Sequence, residues 1–183
     1  MTHRRTPALL LLAVALAVGG CSKDETRAEE KKPDPMAGAV AVAKEYQLAA
    51  MKPDWHRACE LRTVAYRFGK SVDECAADNV VPTPPPVGTA SPSTSPQPDR
   101  AELGPLRLED GPLPVPSIGD HPAGIGVMFA YDVKWPTEAS ITRKAVRVVK
   151  ENGVWRVEQR ETVHDTDIAH GNPLYDALTR PQQ

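Results

Sequence analysis

"VRVVKENGVWRVEQ", residues 146–159, alternates apolar and polar side chains on either side of Asn152-Gly153. Asn-Gly is the favoured dipeptide of a two-residue type I′ turn, because both central positions need positive φ. Pairing outward from it sets Lys150 against Trp155, Val149 against Arg156, Val148 against Val157 and Arg147 against Glu158. Val146, Val148, Trp155 and Val157 then share one face, and Arg147 and Glu158 make an opposite-charge pair on the other. The stretch therefore predicts an antiparallel hairpin with one buried face. The residues before it keep the same period. In "GIGVMFAYDVKW", 124–135, Ile125, Val127, Phe129, Tyr131, Val133 and Trp135 point one way, and Gly126, Met128, Ala130, Asp132 and Lys134 the other. That alternation predicts a long strand with one strongly buried face. "ELGPLRLEDGPLPV", 102–115, has room for one or two short edge strands, limited by its prolines.

Upstream the period is helical. "MAGAVAVAKEYQLAAMK", 36–52, places Ala39, Val42, Tyr46 and Ala49 on one face, and Pro53 closes it. Asp54 caps a second short helix through "WHRACELRTVAYR". "SVDE", 71–74, has the form of a capping box and opens a third helix carrying Cys75. Between helices and strands, residues 82–98 hold seven prolines and six Ser or Thr, a Pro/Ser-rich loop interrupting the domain. Beyond Thr162 the chain reads as a loop-like tail with a short helical turn at "PLYDALT".

The compartment is written at the other end. Residues 1–20 have a basic start at Arg4 and Arg5, an apolar run from Ala8 to Val18 and small Gly19 and Gly20, the three parts of a secretory signal. The apolar run is too short for a spanning helix, which needs about 20 residues. Residues 21–35 are nearly all charge and turn formers, a composition that cannot offset chain entropy and reads as a solvated, disordered tether. Removing residues 1–20 leaves 20 basic residues of 22 and all 24 acidic ones, a net charge of -4. That balance gives no electrostatic reason to bind nucleic acid. Cys59 and Cys75 remain as an even pair in a disulfide-permissive compartment, and their bond would staple the second helix to the third. No Cys-x-x-Cys spacing indicates a redox motif or zinc knuckle.

The quartet Val18, Gly19, Gly20, Cys21 resembles the lipobox of bacterial lipoprotein precursors. The resemblance implies that Cys21 is lipidated and becomes the mature N-terminus, at the extracytoplasmic face of the cell membrane. A diacylglyceryl group supplies the two acyl chains that stable anchoring needs. The helix with "AC", the second Cys and the Pro/Ser-rich loop look like small lipoproteins of high-GC Gram-positive bacteria. Leading helices followed by a long antiparallel sheet ending in "NGVWRV" resemble the cystatin-like, NTF2-like fold. The expected class is α+β, with helices packed on a curved antiparallel sheet over residues 36–163 and a tail at 164–183.

In that fold the sheet curls around the first helix into a cone, which some members use as an enzyme pocket and others fill with side chains. Members similar to SnoaL cyclases or ketosteroid isomerases need an acid-base Asp or His inside it. The candidates are Asp132, Tyr46 and His164, but the alternation puts Asp132 outside the core. "HDTDIAH" offers His164, Asp165, Asp167 and His170 as metal donors, yet histidines six apart share no helical face, so a solvated loop is the better account. His56 and His121 have no carboxylate cluster near them in sequence and read as surface or packing residues. The expectation is a non-catalytic lipoprotein, with no cofactor or metal, that binds a cell-envelope partner or small ligand. The alternatives are an enzyme using the cone and an interaction scaffold acting through the proline-rich loop.

Overall fold

The computed structural model describes residues 34–80 and 101–180. Cys21, most of the charged tether and the proline-rich run at 82–98 lie outside the described residues. The fold is α+β, with helices set against a curled antiparallel sheet.

Helix α1, Ala37–Met51, buries Ala39, Ala43, Tyr46, Gln47 and Ala49. Three of the four expected face residues are among them, while Val42 is only half-buried. Helix α2, Trp55–Glu60, starts where expected, with the Asp54 carboxylate accepting the Arg57 N–H at 3.1 Å. It ends seven residues before Arg67, the end of the expected helical stretch, because Leu61–Thr63 runs alongside the sheet instead. Val157 donates its N–H to the Leu61 carbonyl at 2.8 Å and accepts from the Thr63 N–H at 2.9 Å. Helix α3, Val72–Asn79, opens with the complete capping box: Ser71 Oγ accepts the Glu74 N–H, and the Glu74 carboxylate accepts the Ser71 N–H at 2.9 Å. Cys59 and Cys75 form a disulfide, tying α2 to α3 as the sequence indicated.

The strands are β1, Glu102–Leu103; β2, Arg107–Val115; β3, Gly124–Lys134; β4, Ala139–Glu151; and β5, Val154–Thr162. The order is β1-β3-β4-β5, with β2 on the same edge of β3 as β1. At the β4–β5 turn Asn152 and Gly153 have φ of 52° and 81°, as type I′ geometry requires. The pairs Lys150–Trp155, Val149–Arg156 and Val148–Val157 form as read from the sequence. The next does not: a bulge inserts Glu158, so Arg147 faces Gln159. The expected Arg147–Glu158 pair across the solvent face is therefore corrected to a fully buried Arg147. Its guanidinium donates to Gln159 Oε1 at 2.9 Å and to the carbonyls of Pro116, Pro122 and Leu178 at 2.5, 2.8 and 2.9 Å.

The sheet is buried on both faces rather than one. Against α1 lie Val127, Phe129, Val146, Val148 and Val157, with the Trp155 indole packed on their edge. The other face, Met128 and Ala145 with Val115 and Val163, is covered by Leu174, Ala177 and Leu178. These come from the segment expected to be a loop-like tail, which forms helix α4, Asp165–Ala169, and helix α5, Pro173–Thr179. The domain therefore runs past residue 163 to include the second cover of its own sheet.

Candidate functional site

The bridge between Leu61–Thr63 and Val157 decides where an opening forms. After Thr63 the chain turns away from β5: Thr63 Oγ1 accepts the Tyr66 N–H at 2.9 Å, and Phe68 and Gly69 take positive φ of 55° and 75°. Leaving β5 this way uncovers its last residues. The result is a cleft of about 730 Å³, floored by Glu158–Glu161 and walled by Tyr66 and Phe68 on one side and by the turn Ile118–His121 on the other. Phe68 stands at its rim, 87% exposed.

The bulge aims Glu158 inward. Its carboxylate is 5% exposed, accepts from Thr63 Oγ1 at 2.5 Å and lies 3.4 Å from His121 Nδ1. His121 is fixed by paired backbone bonds to Ile118, each 3.0 Å. Arg160 reaches to α1, where Nε donates to Gln47 Oε1 at 3.0 Å. Arg180 pairs with Asp167. Behind the wall, Tyr66 and Tyr46 meet at their hydroxyls, 3.4 Å apart, and the Arg62 guanidinium lies 4.7 Å from the Tyr66 ring centroid and 5.5 Å from that of Tyr46. Burial, then the neighbouring Tyr46 hydroxyl, pushes the Tyr66 phenol well above its ordinary value, so it stays neutral. The cleft thus combines an aromatic wall with a histidine, two arginines and buried carboxylate chemistry.

No family model, curated protein or solved structure matches this chain.

The candidates read from the sequence fall elsewhere. Asp132 sits outside the core in a two-point ion pair with Arg107, at 2.9 and 3.2 Å, which holds its carboxyl below the usual range. Tyr46 is buried beside Arg62, whose Nη2 donates to its hydroxyl at 3.1 Å. The residues of "HDTDIAH" are not brought together: His164 and Asp165 are exposed, and His170 turns toward Asp176 at 3.6 Å. Asp167 accepts the His164 N–H at 2.7 Å at the start of α4. Two histidines read as surface or packing residues with no carboxylate cluster nearby do meet carboxylates. His56 lies 3.5 Å from Glu60 and 3.3 Å from Asp73, and His121 faces Glu158. Sequence reasoning missed His121, Glu158, Arg160 and Phe68 as a group because His121 and Glu158 are 37 residues apart and meet only through the bulge.

Proposed function

We propose that this is a lipid-anchored extracytoplasmic lipoprotein whose domain, built on the cystatin-like, NTF2-like plan, binds a small amphipathic ligand without transforming it. The observation that carries the reading is the cleft: an exposed Phe68 at its rim and Tyr66 on its wall suit an apolar body, while His121 and Arg160 suit a polar end. The α1 side of the sheet supports binding over catalysis inside a cone, since Val127, Phe129, Val148 and Val157 are buried there against α1 in one apolar cluster.

The test uses anilinonaphthalene sulfonate, a probe with an apolar body and an anionic end. Saturable one-site binding is expected, with Phe68→Ser weakening it about fivefold while the circular dichroism spectrum is retained. Affinity unchanged by Phe68→Ser would overturn the cleft assignment. The anchor has its own test: a palmitate analogue should label the wild type and not Cys21→Ser, and labelling of both would sink it.

One observation favours a second reading, an acid-base enzyme: His121 lies beside a buried carboxylate in an open cleft. His121→Asn separates the two, because it abolishes turnover by an enzyme, whereas a binding protein keeps saturable binding of the probe, weakened by the loss of one polar contact.

A further inference from the structure

Across the described residues, arginines are matched to acceptors with few exceptions. Arg57 binds Glu45 and Glu60, Arg107 binds Asp132, Arg143 binds Glu109, Arg180 binds Asp167, and Arg147 is satisfied by Gln159 and three carbonyls. Arg160 is held by Gln47, and Arg62, Arg67 and Arg156 likewise have no carboxylate partner among the described residues. Arg62 spends its terminal nitrogens on the Tyr46 hydroxyl and the disulfide sulfurs, and Arg156 donates to the Glu60 carbonyl at 2.8 Å. The Nε atoms of Arg62 and Arg67 are buried with no acceptor.

These three arginines line one pocket of about 350 Å³, together with Arg57, Glu60, Val72 and Glu151. It is separate from the cleft, although the segment Leu61–Gly69 contributes to both. Arg57 and Glu60 neutralise each other through a 2.5 Å contact. Glu151 is engaged by the Val64 N–H at 3.1 Å. Three guanidinium charges set against one carboxylate leave the pocket doubly positive. A guanidinium is planar, permanently charged and suited to two-point contact with an oxyanion.

We infer that Arg62, Arg67 and Arg156 form a binding site for a phosphate group, whose negative charge offsets the guanidinium charge that these three arginines bring to the pocket. A dianionic tetrahedral group matches the pocket's charge and offers enough acceptor oxygens for three arginines. A carboxylate carries half that charge. A phosphate group of that charge occurs in free phosphate and in the phosphomonoester headgroup of phosphatidic acid, the second following from the proposed anchor.

Inorganic phosphate titrated into the purified full chain, followed by amide chemical shifts, should give saturable movement around Arg62, Arg67 and Arg156, and chloride at equal ionic strength should not. Arg67→Gln should weaken phosphate about tenfold or more. Glu151→Gln keeps an acceptor for the Val64 N–H and removes the one negative charge not cancelled by an arginine, so it should tighten phosphate about threefold. This second variant keeps the test decisive if Arg67→Gln does not fold. The sources are separated with phosphatidylcholine vesicles, plain or containing phosphatidic acid, and Cys21→Ser protein so that no acyl chain contributes. Binding to the anionic vesicles without response to free phosphate assigns the lipid headgroup, and the reverse assigns a soluble phosphate. No saturable response to either, an equal response to chloride, or a Glu151→Gln variant that binds the responding ligand, phosphate or vesicle, no tighter overturns the site.

Discussion

Arg147 shows how far a single side chain can organise this protein. The Pro116 and Pro122 carbonyls belong to the connection between β2 and β3, and the Leu178 carbonyl to the last turn of α5. These carbonyls need a donor where the backbone offers none, and one planar guanidinium supplies it to all three while also holding Gln159. Burial draws the group below its ordinary value, and the Glu158 charge opposes that shift. Arg147→Met fills the same volume but orphans those carbonyls, and should lower stability by about 3 kcal/mol. The check is urea unfolding, where the midpoint should fall with the slope unchanged. Alternation alone assigned Arg147 to the solvent face, since a polar residue in a period-2 pattern normally points outward. Its acceptors are backbone atoms 25 and 31 residues away, and nothing in the local sequence announces them.

At the scale of elements, α5 is the piece the sequence under-described. Its signals are present: Pro173 at the first helical position, and Leu174, Ala177 and Leu178 spaced to share a face. Two turns with three apolar residues are too short for a periodicity argument, so the segment read as a tail. The decisive partner is Gly126 on β3. A Cβ there would come within 2.9 Å of Val115 Cγ1 and 3.1 Å of Leu178 Cδ1, so the absent side chain is what lets α5 approach the sheet. Leu178→Ala should cost about 2–5 kcal/mol, read from thermal or urea unfolding, because the helix above a flat strand cannot collapse into the space left. By contrast, the hairpin turn and both helix caps were fully legible, since each depends on a few adjacent residues whose chemistry admits one local geometry. The bulge was not legible, because a charged residue inserted into a strand carries no marker distinguishing it from a paired one.

For the whole molecule, acid should be the weak side. Glu60 is held below its ordinary value by Arg57, Glu74 by the Ser71 cap and Asp132 by Arg107. Burial pushes Asp167 upward, but the Arg180 and His164 hydrogen bonds outweigh it and the net shift is down. A carboxyl lowered on folding adds stability above its unfolded value and loses it as pH falls through the folded one. The urea midpoint should stay flat from about pH 7 to 5 and drop below about pH 4, where carboxyls titrate. Asp167→Asn should make that drop shallower. The α+β class and the disulfide between α2 and α3 were legible from period and cysteine count, whereas the cleft needed the bridge at Val157 to place it. Beyond that bridge the outer edge of β5 has no backbone partner among the described residues. Such an edge is where sheet proteins recruit foreign strands and polymerise. Here the extra residue at Glu158 breaks the ladder's step just past Val157, and Arg160 and Glu161 bring charge to the last residues of the strand. An incoming copy in step at Val157 would be out of step two residues later, so the irregularity that turns Glu158 toward His121 also keeps the chain from templating its own aggregation.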